Sequence, residues 1–127
     1  SISWAFQQIY SAPHQKIIGI SVLKNNFSID AEINALLTPK ESKKNFEIIH
    51  GYDFGGYAKH TPALIKYMND TYKNLELPLD FVYTAKLMYA AEDFASKGKF
   101  EPTSKILLIH SGGLQGNRSF KKGTLLF

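Results

Sequence analysis

Cysteine is absent from the 127 residues, which removes disulfides, thiolate nucleophiles and every zinc site built on sulfur ligands. Also missing is any apolar run near the roughly 20 residues that a membrane-crossing helix requires, and the N-terminus lacks the charged-then-apolar order of a signal peptide. No membrane partner is expected, and the cytoplasm is the favoured compartment. The four histidines, His14, His50, His60 and His110, show neither H-x-H nor H-x-x-x-H spacing, so a metal site is not expected. Neither the dinucleotide fingerprint G-x-G-x-x-G nor a P-loop occurs, and there is no internal repeat. An initiator Met is lacking too. The opening Trp4-Ala5-Phe6-Gln7-Gln8-Ile9-Tyr10 reads as the end of an amphipathic helix, with Trp4, Phe6 and Ile9 toward a core, as at a cut edge.

What is present is the makeup of an ordinary globular domain, or one piece of a domain, with 44% hydrophobic and 20% charged residues. The net charge of +4 comes from scattered lysines, grouped only at Lys40 to Lys44 and at Lys121 to Lys122. Such a distribution describes a solvated face and not a nucleic-acid patch.

Hydrophobic periodicity orders the chain. Ile17-Ile18-Gly19-Ile20-Ser21-Val22-Leu23 is a continuous β-branched run, the composition of a strand covered on both faces. Asp30 to Leu37 suits a short helix that ends at Thr38-Pro39, and a polar connector, Lys40 to Asn45, leads to a second strand, Phe46 to His50. Thr61-Pro62 supplies an N-cap and a first-turn proline for a helix over 61–73, with Leu64, Ile65, Met68 and Tyr72 on one face. A further helix, 84–97, carries Leu87, Ala91 and Phe94 at helical spacing and stops at Gly98. Lys105 to His110 has the composition of a buried strand. This order of elements suggests an α/β fold: a three-layer, open, twisted, mostly parallel sheet with helices on both faces, in which ligands sit where strand ends meet loops.

Six of the nine glycines fall in two clusters, 51–56 and 112–116, each directly after an expected strand. Glycine there lets backbone N–H groups approach a ligand closely, and Ser111 adds a hydroxyl at the second strand exit. A pair of tight turns accounts for the same pattern.

The stretch from Leu79 to Asn117, LDFVYTAKLMYAAEDFASKGKFEPTSKILLIHSGGLQGN, resembles the C-terminal signature of the pyridoxal-phosphate (PLP) dependent D-cysteine desulfhydrase and 1-aminocyclopropane-1-carboxylate deaminase family. In that family a Y-[TE]-G-K segment opens a helix and a later strand ends in H-T-G-G. Gly55-Gly56-Tyr57 resembles its glycine-tyrosine loop, and Lys16 to Lys24, KIIGISVLK, its preceding strand. The resemblance implies a fold-type II PLP enzyme, homodimeric at full length, that acts on a small amino acid and eliminates ammonia to leave a 2-oxo acid. It implies that Ser111 hydrogen-bonds the cofactor's pyridine nitrogen, with Gly112 beside the ring. A hydroxyl partner leaves that nitrogen largely unprotonated and the ring a weaker electron sink, which suits elimination. Tyr57 and Tyr83 match tyrosines on the substrate side, where a phenol of lowered pKa could move a proton; without the resemblance they would be taken for core aromatics. At Thr84 the deaminases carry glutamate near the ring nitrogen and the desulfhydrases threonine, so the chain leans toward desulfhydrase.

Three departures matter. Ala85 and Ser111 stand where the family has glycine and threonine. Ser1-Ile2-Ser3-Trp4 contains none of the glycine expected of a phosphate-binding loop. No residue matches the Schiff-base lysine, for Lys86 belongs to the Y-T-A-K segment and is expected to be a solvated charge. His110 is expected to shape its loop by donating to backbone. The whole is therefore expected to be a C-terminal portion of the PLP-binding domain, inactive as this chain. The competing expectation is a truncated form or pseudoenzyme without catalysis, serving at most in subunit association.

Overall fold

The computed structural model of the protein describes residues 15–36 and 46–127. The expected N-terminal helix at Trp4 to Tyr10 and the connector at Lys40 to Asn45 lie outside the described residues. Strand β1 (Ile17–Ile20) and strand β2 (Phe46–Ile49) pair in parallel, with Ile17 opposite Phe46 and Ile20 opposite Ile49. Helix α1 (Ile29–Leu36) lies on the connection between them and buries Ile33. Parallel neighbours require such a crossover, which is the α/β pattern. The α/β class with parallel strands is thus present, and among the described residues the sheet has two strands.

Helix α2 (Pro62–Leu75) is specified almost wholly by local chemistry. Thr61 is extended at the N-cap, and its hydroxyl accepts a hydrogen bond from Leu64 N at 3.2 Å. Pro62 fills the first turn, where its missing N–H costs nothing. At the other end Glu76 turns left-handed, with φ 53°, and its N–H donates to Tyr72 O. The inward stripe is Leu64, Met68 and Thr71, with Ile65 and Tyr72 half-buried. Leu64 and Met68 join Leu79, Phe81, Val82 and Ala85 in the core, and Phe120, Leu125 and Phe127 cover it. Full burial of a Leu or Met side chain contributes about 1.5–3 kcal/mol.

Helix α3 (Thr84–Ser96) packs against α2 and touches β1. Its buried residues are Thr84, Ala85, Lys86 and Ala90, whereas Leu87, Ala91 and Phe94, the face expected from periodicity, are only half-buried. Lys86 is a second correction: the expected solvated charge is fully buried, at 0% exposure.

The third correction concerns Lys105 to His110. The segment is not a strand, and all six residues are exposed, Leu107 at 85%. Its apolar, β-branched composition expresses a preference for a pleated surface, but a strand forms only where a neighbour completes the ladder. Among the described residues β1 and β2 pair with each other and leave this segment unpaired. A 3₁₀ turn, Leu114–Ser119, follows it.

Candidate functional site

Three stretches converge: the first glycine loop, the start of α3 and the segment from His110 to Asn117. Asp80 joins the last two. Its carboxylate, wholly buried, stands in front of α3 and accepts from Val82 N at 2.9 Å, Tyr83 N at 2.8 Å and Thr84 N at 2.9 Å. The Thr84 N–H is one that a helix start leaves without an intrahelical partner, the Val82 and Tyr83 N–H groups belong to the turn that leads into it, and an anion there is also favoured by the helix dipole. The Thr84 hydroxyl donates to Asp80 Oδ2 at 2.6 Å and accepts from Asp80 N at 2.8 Å. Thr84 is therefore committed to the cap, and its hydroxyl faces Asp80.

The His110 segment reads the residues around Asp80 one by one. His110 Nε2 donates to Pro78 O at 2.9 Å, while its Nδ1 accepts from Gly112 N at 3.2 Å. A carbonyl can only accept and an N–H only donate, so these two bonds fix the tautomer with hydrogen on Nε2. Asn117 donates to Leu79 O at 2.9 Å and accepts from Phe81 N at 3.2 Å. Between them Ser111 is exposed and Gly112 takes a φ of +84° with nothing within 4 Å of where a Cβ would stand. His110 thus bonds backbone on both sides of its ring, as a loop-shaping residue does.

The first glycine loop lies along α3 in reverse order. Tyr52 donates to Asp93 Oδ2 at 2.6 Å. The Phe54 ring meets Tyr89 edge-on, with centroids 5.0 Å apart. Asp53 O and Gly56 O each accept from Lys86 Nζ, at 2.6 and 2.8 Å. Tyr57 reaches Tyr83, whose hydroxyl donates to the Tyr57 hydroxyl at 3.1 Å. The partners are Tyr83, at the N-cap of α3, and Lys86, Tyr89 and Asp93 along it, a stripe at helical spacing. Sequence reasoning missed this stripe because the apolar series Leu87, Ala91 and Phe94 drew the face elsewhere. The signal was present as two tyrosines, a lysine and an aspartate at intervals of three, three and four.

Electrostatics follow these contacts. The hydrogen bond to Tyr57, then burial and the nearby Asp80, push the Tyr83 phenol above the usual tyrosine value. Tyr83 thus holds its proton, opposite in direction to the lowering that proton abstraction by this phenol would need. The Tyr57 hydroxyl accepts that bond and keeps its own hydrogen for another acceptor. Both rings are about half exposed, at 53% for Tyr57 and 45% for Tyr83. Burial lowers the Lys86 ammonium from the usual lysine value, against the pull of Asp53 and Asp80. Among the described residues no group of acidic or histidine side chains is arranged to hold a metal ion, and no helix is long and apolar enough to cross a membrane.

The architecture is α/β, and a tyrosine pair is set by a glycine loop against a capped helix. The chain is 38% identical over 68 residues to proteins of Pyrococcus horikoshii and Pyrococcus abyssi, each provisionally named 1-aminocyclopropane-1-carboxylate deaminase. A Pyrococcus furiosus protein of the same provisional name is 35% identical over 79 residues. The matches cover 54%, 54% and 62% of this chain but only 20%, 20% and 23% of the relatives, so the chain spans about a fifth of their length. No protein-family model matches, and no solved structure does. The resemblance to the aminocyclopropane-carboxylate deaminase family is therefore partial in extent and shared with three curated proteins.

Proposed function

We propose that this chain is part of a PLP-dependent deaminase or desulfhydrase that acts on a small amino acid and releases ammonia and a 2-oxo acid. The observation that carries the reading is the pair of exposed phenols, Tyr57 and Tyr83, joined at 3.1 Å from 26 positions apart. Core aromatics would be covered; these two are about half exposed, and the Tyr83 hydroxyl donates to that of Tyr57, which leaves the Tyr57 hydrogen free for another acceptor. The names of the three relatives support the same class.

PLP, when bound, supplies an electron sink that weakens bonds to the substrate α-carbon. Ser111 would hold its ring nitrogen, and Gly112, open where a side chain would otherwise stand, would admit the flat ring. Tyr57 would present its hydrogen to the substrate, and Tyr83 would hold that phenol in place. Thr84 would contribute through Asp80, by fixing the turn that carries Tyr83. Covalent attachment of the cofactor is assigned to no residue of this chain, since the Lys86 amine is engaged with two carbonyls.

The test uses the natural polypeptide that carries this chain, purified with added PLP. Visible absorbance from bound cofactor is expected, with sulfide released from D-cysteine or ammonia from 1-aminocyclopropane-1-carboxylate. Threonine at position 84 favours the first substrate, the relatives' names the second. A protein that stays colourless with PLP overturns the proposal.

A further inference from the structure

We propose that Lys86 is a positioning residue, whose ammonium draws the Asp53 and Gly56 carbonyls together and thereby sets Tyr57 against Tyr83. Its importance for catalysis rests on the function proposed above; its geometric part does not. A buried ammonium without partners is among the costliest groups a protein can hold, and it is kept only where dipoles or charges replace the lost water. Here two carbonyl oxygens do so, at 2.6 and 2.8 Å, with the carboxylates of Asp53 and Asp80 in its field.

The loop it grips is not one that the chain would adopt unaided. Phe54, Gly55, Gly56 and Ala58 all have positive φ, at 51°, 102°, 122° and 51°. Two of these are residues with a Cβ, for which that region is disfavoured. Internal bonds supply part of the hold: Gly55 N donates to Asp53 Oδ1, Gly56 N to Asp53 O and Lys59 N to Gly56 O. None of these ties the loop to α3. Lys86 makes that tie directly before Tyr57, one turn of helix beyond Tyr83. A solvated charge would have no reason to be at 0% exposure, and a nucleophile would need its nitrogen free of the two carbonyls.

The experiment is a titration of the protein labelled with ¹³C at tyrosine Cζ, with Tyr57→Phe and Tyr83→Phe used to assign the two signals. In the unsubstituted protein the Tyr83 signal is expected to titrate above the ordinary phenol. Lys86→Met keeps the volume and removes the charge. It is expected to leave the helical circular dichroism in place while Tyr83 titrates as it does in Tyr57→Phe. A folded Lys86→Met protein in which Tyr83 titrates unchanged overturns the proposal. If that variant does not fold, the lysine ¹⁵Nζ spectrum of the unsubstituted protein decides. An ammonium signal for Lys86 with slowed hydrogen exchange and coupling to carbonyl carbons supports the clamp, and exchange like that of surface lysines overturns it. Neither measurement needs activity or PLP, so the clamp and the proposed function fail independently.

Discussion

A Cβ built on Gly113 would stand 3.3 Å from Cγ of the buried Asp80 carboxylate and 3.4 Å from its Oδ2. The second glycine cluster is therefore pressed against the cap of α3, and Gly113 itself has a φ of +88°. Gly113→Ala has two costs: the backbone conformation, about 1–2 kcal/mol, and displacement of the carboxylate that organises Val82, Tyr83 and Thr84. Gly98, with a φ of +64° and open space within 4 Å of where its Cβ would stand, incurs the first alone. In denaturant titrations Gly113→Ala is expected to lose more stability than Gly98→Ala. Equal losses would show that the Asp80 contact is unimportant.

The cap can be probed from its other side. Asp80→Ala removes the acceptor of three backbone N–H groups and one hydroxyl in a buried setting, and a loss of about 2 kcal/mol or more is expected. Thr84→Val loses only the hydroxyl. Because that hydroxyl bonds Asp80 itself, the double substitution should cost less than the sum of the single ones, by about 0.5 kcal/mol or more. Simple additivity would place the Thr84 hydroxyl elsewhere, facing a ligand instead of the cap.

The parts of this structure that were legible in the sequence are those set by neighbours in the chain. Helix α2 was readable because Thr61, Pro62 and the Leu64–Met68 spacing act within a few residues. The same local rules misjudged α3. There the buried side is decided by the loop at 52–57, which brings Lys86 inward and leaves Phe94 half-covered. Lys105 to His110 failed for the same reason, since composition says what a strand would like and not whether a ladder partner is there. The tyrosine pair came from a family resemblance; the spacing of Tyr57 and Tyr83, 26 residues apart, carries no sign of their contact. For the Asp80 cap, an aspartate four positions before Thr84 at a helix start was a usable signal.

The outer end of the α3 stripe gives a pH prediction. Bonds from Lys97 and then Tyr52 hold the Asp93 carboxyl below its ordinary value. A depressed carboxyl contributes stability that is present above the unfolded value of 3.8 and is lost as pH falls through the lower folded value. Lys97 is raised by Asp93, so its share is present below 10.5 and is lost as pH rises through the higher folded value. The Tyr52 phenol is raised by the same bond to Asp93, so its share is lost as pH rises above 10.0, and the cluster's contribution is flat between 3.8 and 10.0. Tyr52→Phe removes one of the two donors to Asp93. The Asp93 carboxyl ¹³C signal is then expected to titrate closer to the ordinary value, with an acid-side loss that still begins near 3.8 but is smaller and complete at higher pH. An unchanged Asp93 titration would mean that Lys97 alone sets it.

Leu64 and Leu107 are the same residue type in opposite settings, at 0% and 85% exposure. Leu64→Ala opens a cavity between α2 and the Leu79–Val82 turn and is expected to cost about 2–5 kcal/mol. Leu107→Lys changes an exposed position without a ladder partner among the described residues, and its effect should stay within about 0.5 kcal/mol. Thermal midpoints measured side by side separate the two. A cost for Leu107→Lys approaching that of Leu64→Ala would mean that residues 105–110 are covered in solution, as an apolar run of that composition would be inside a wider parallel sheet.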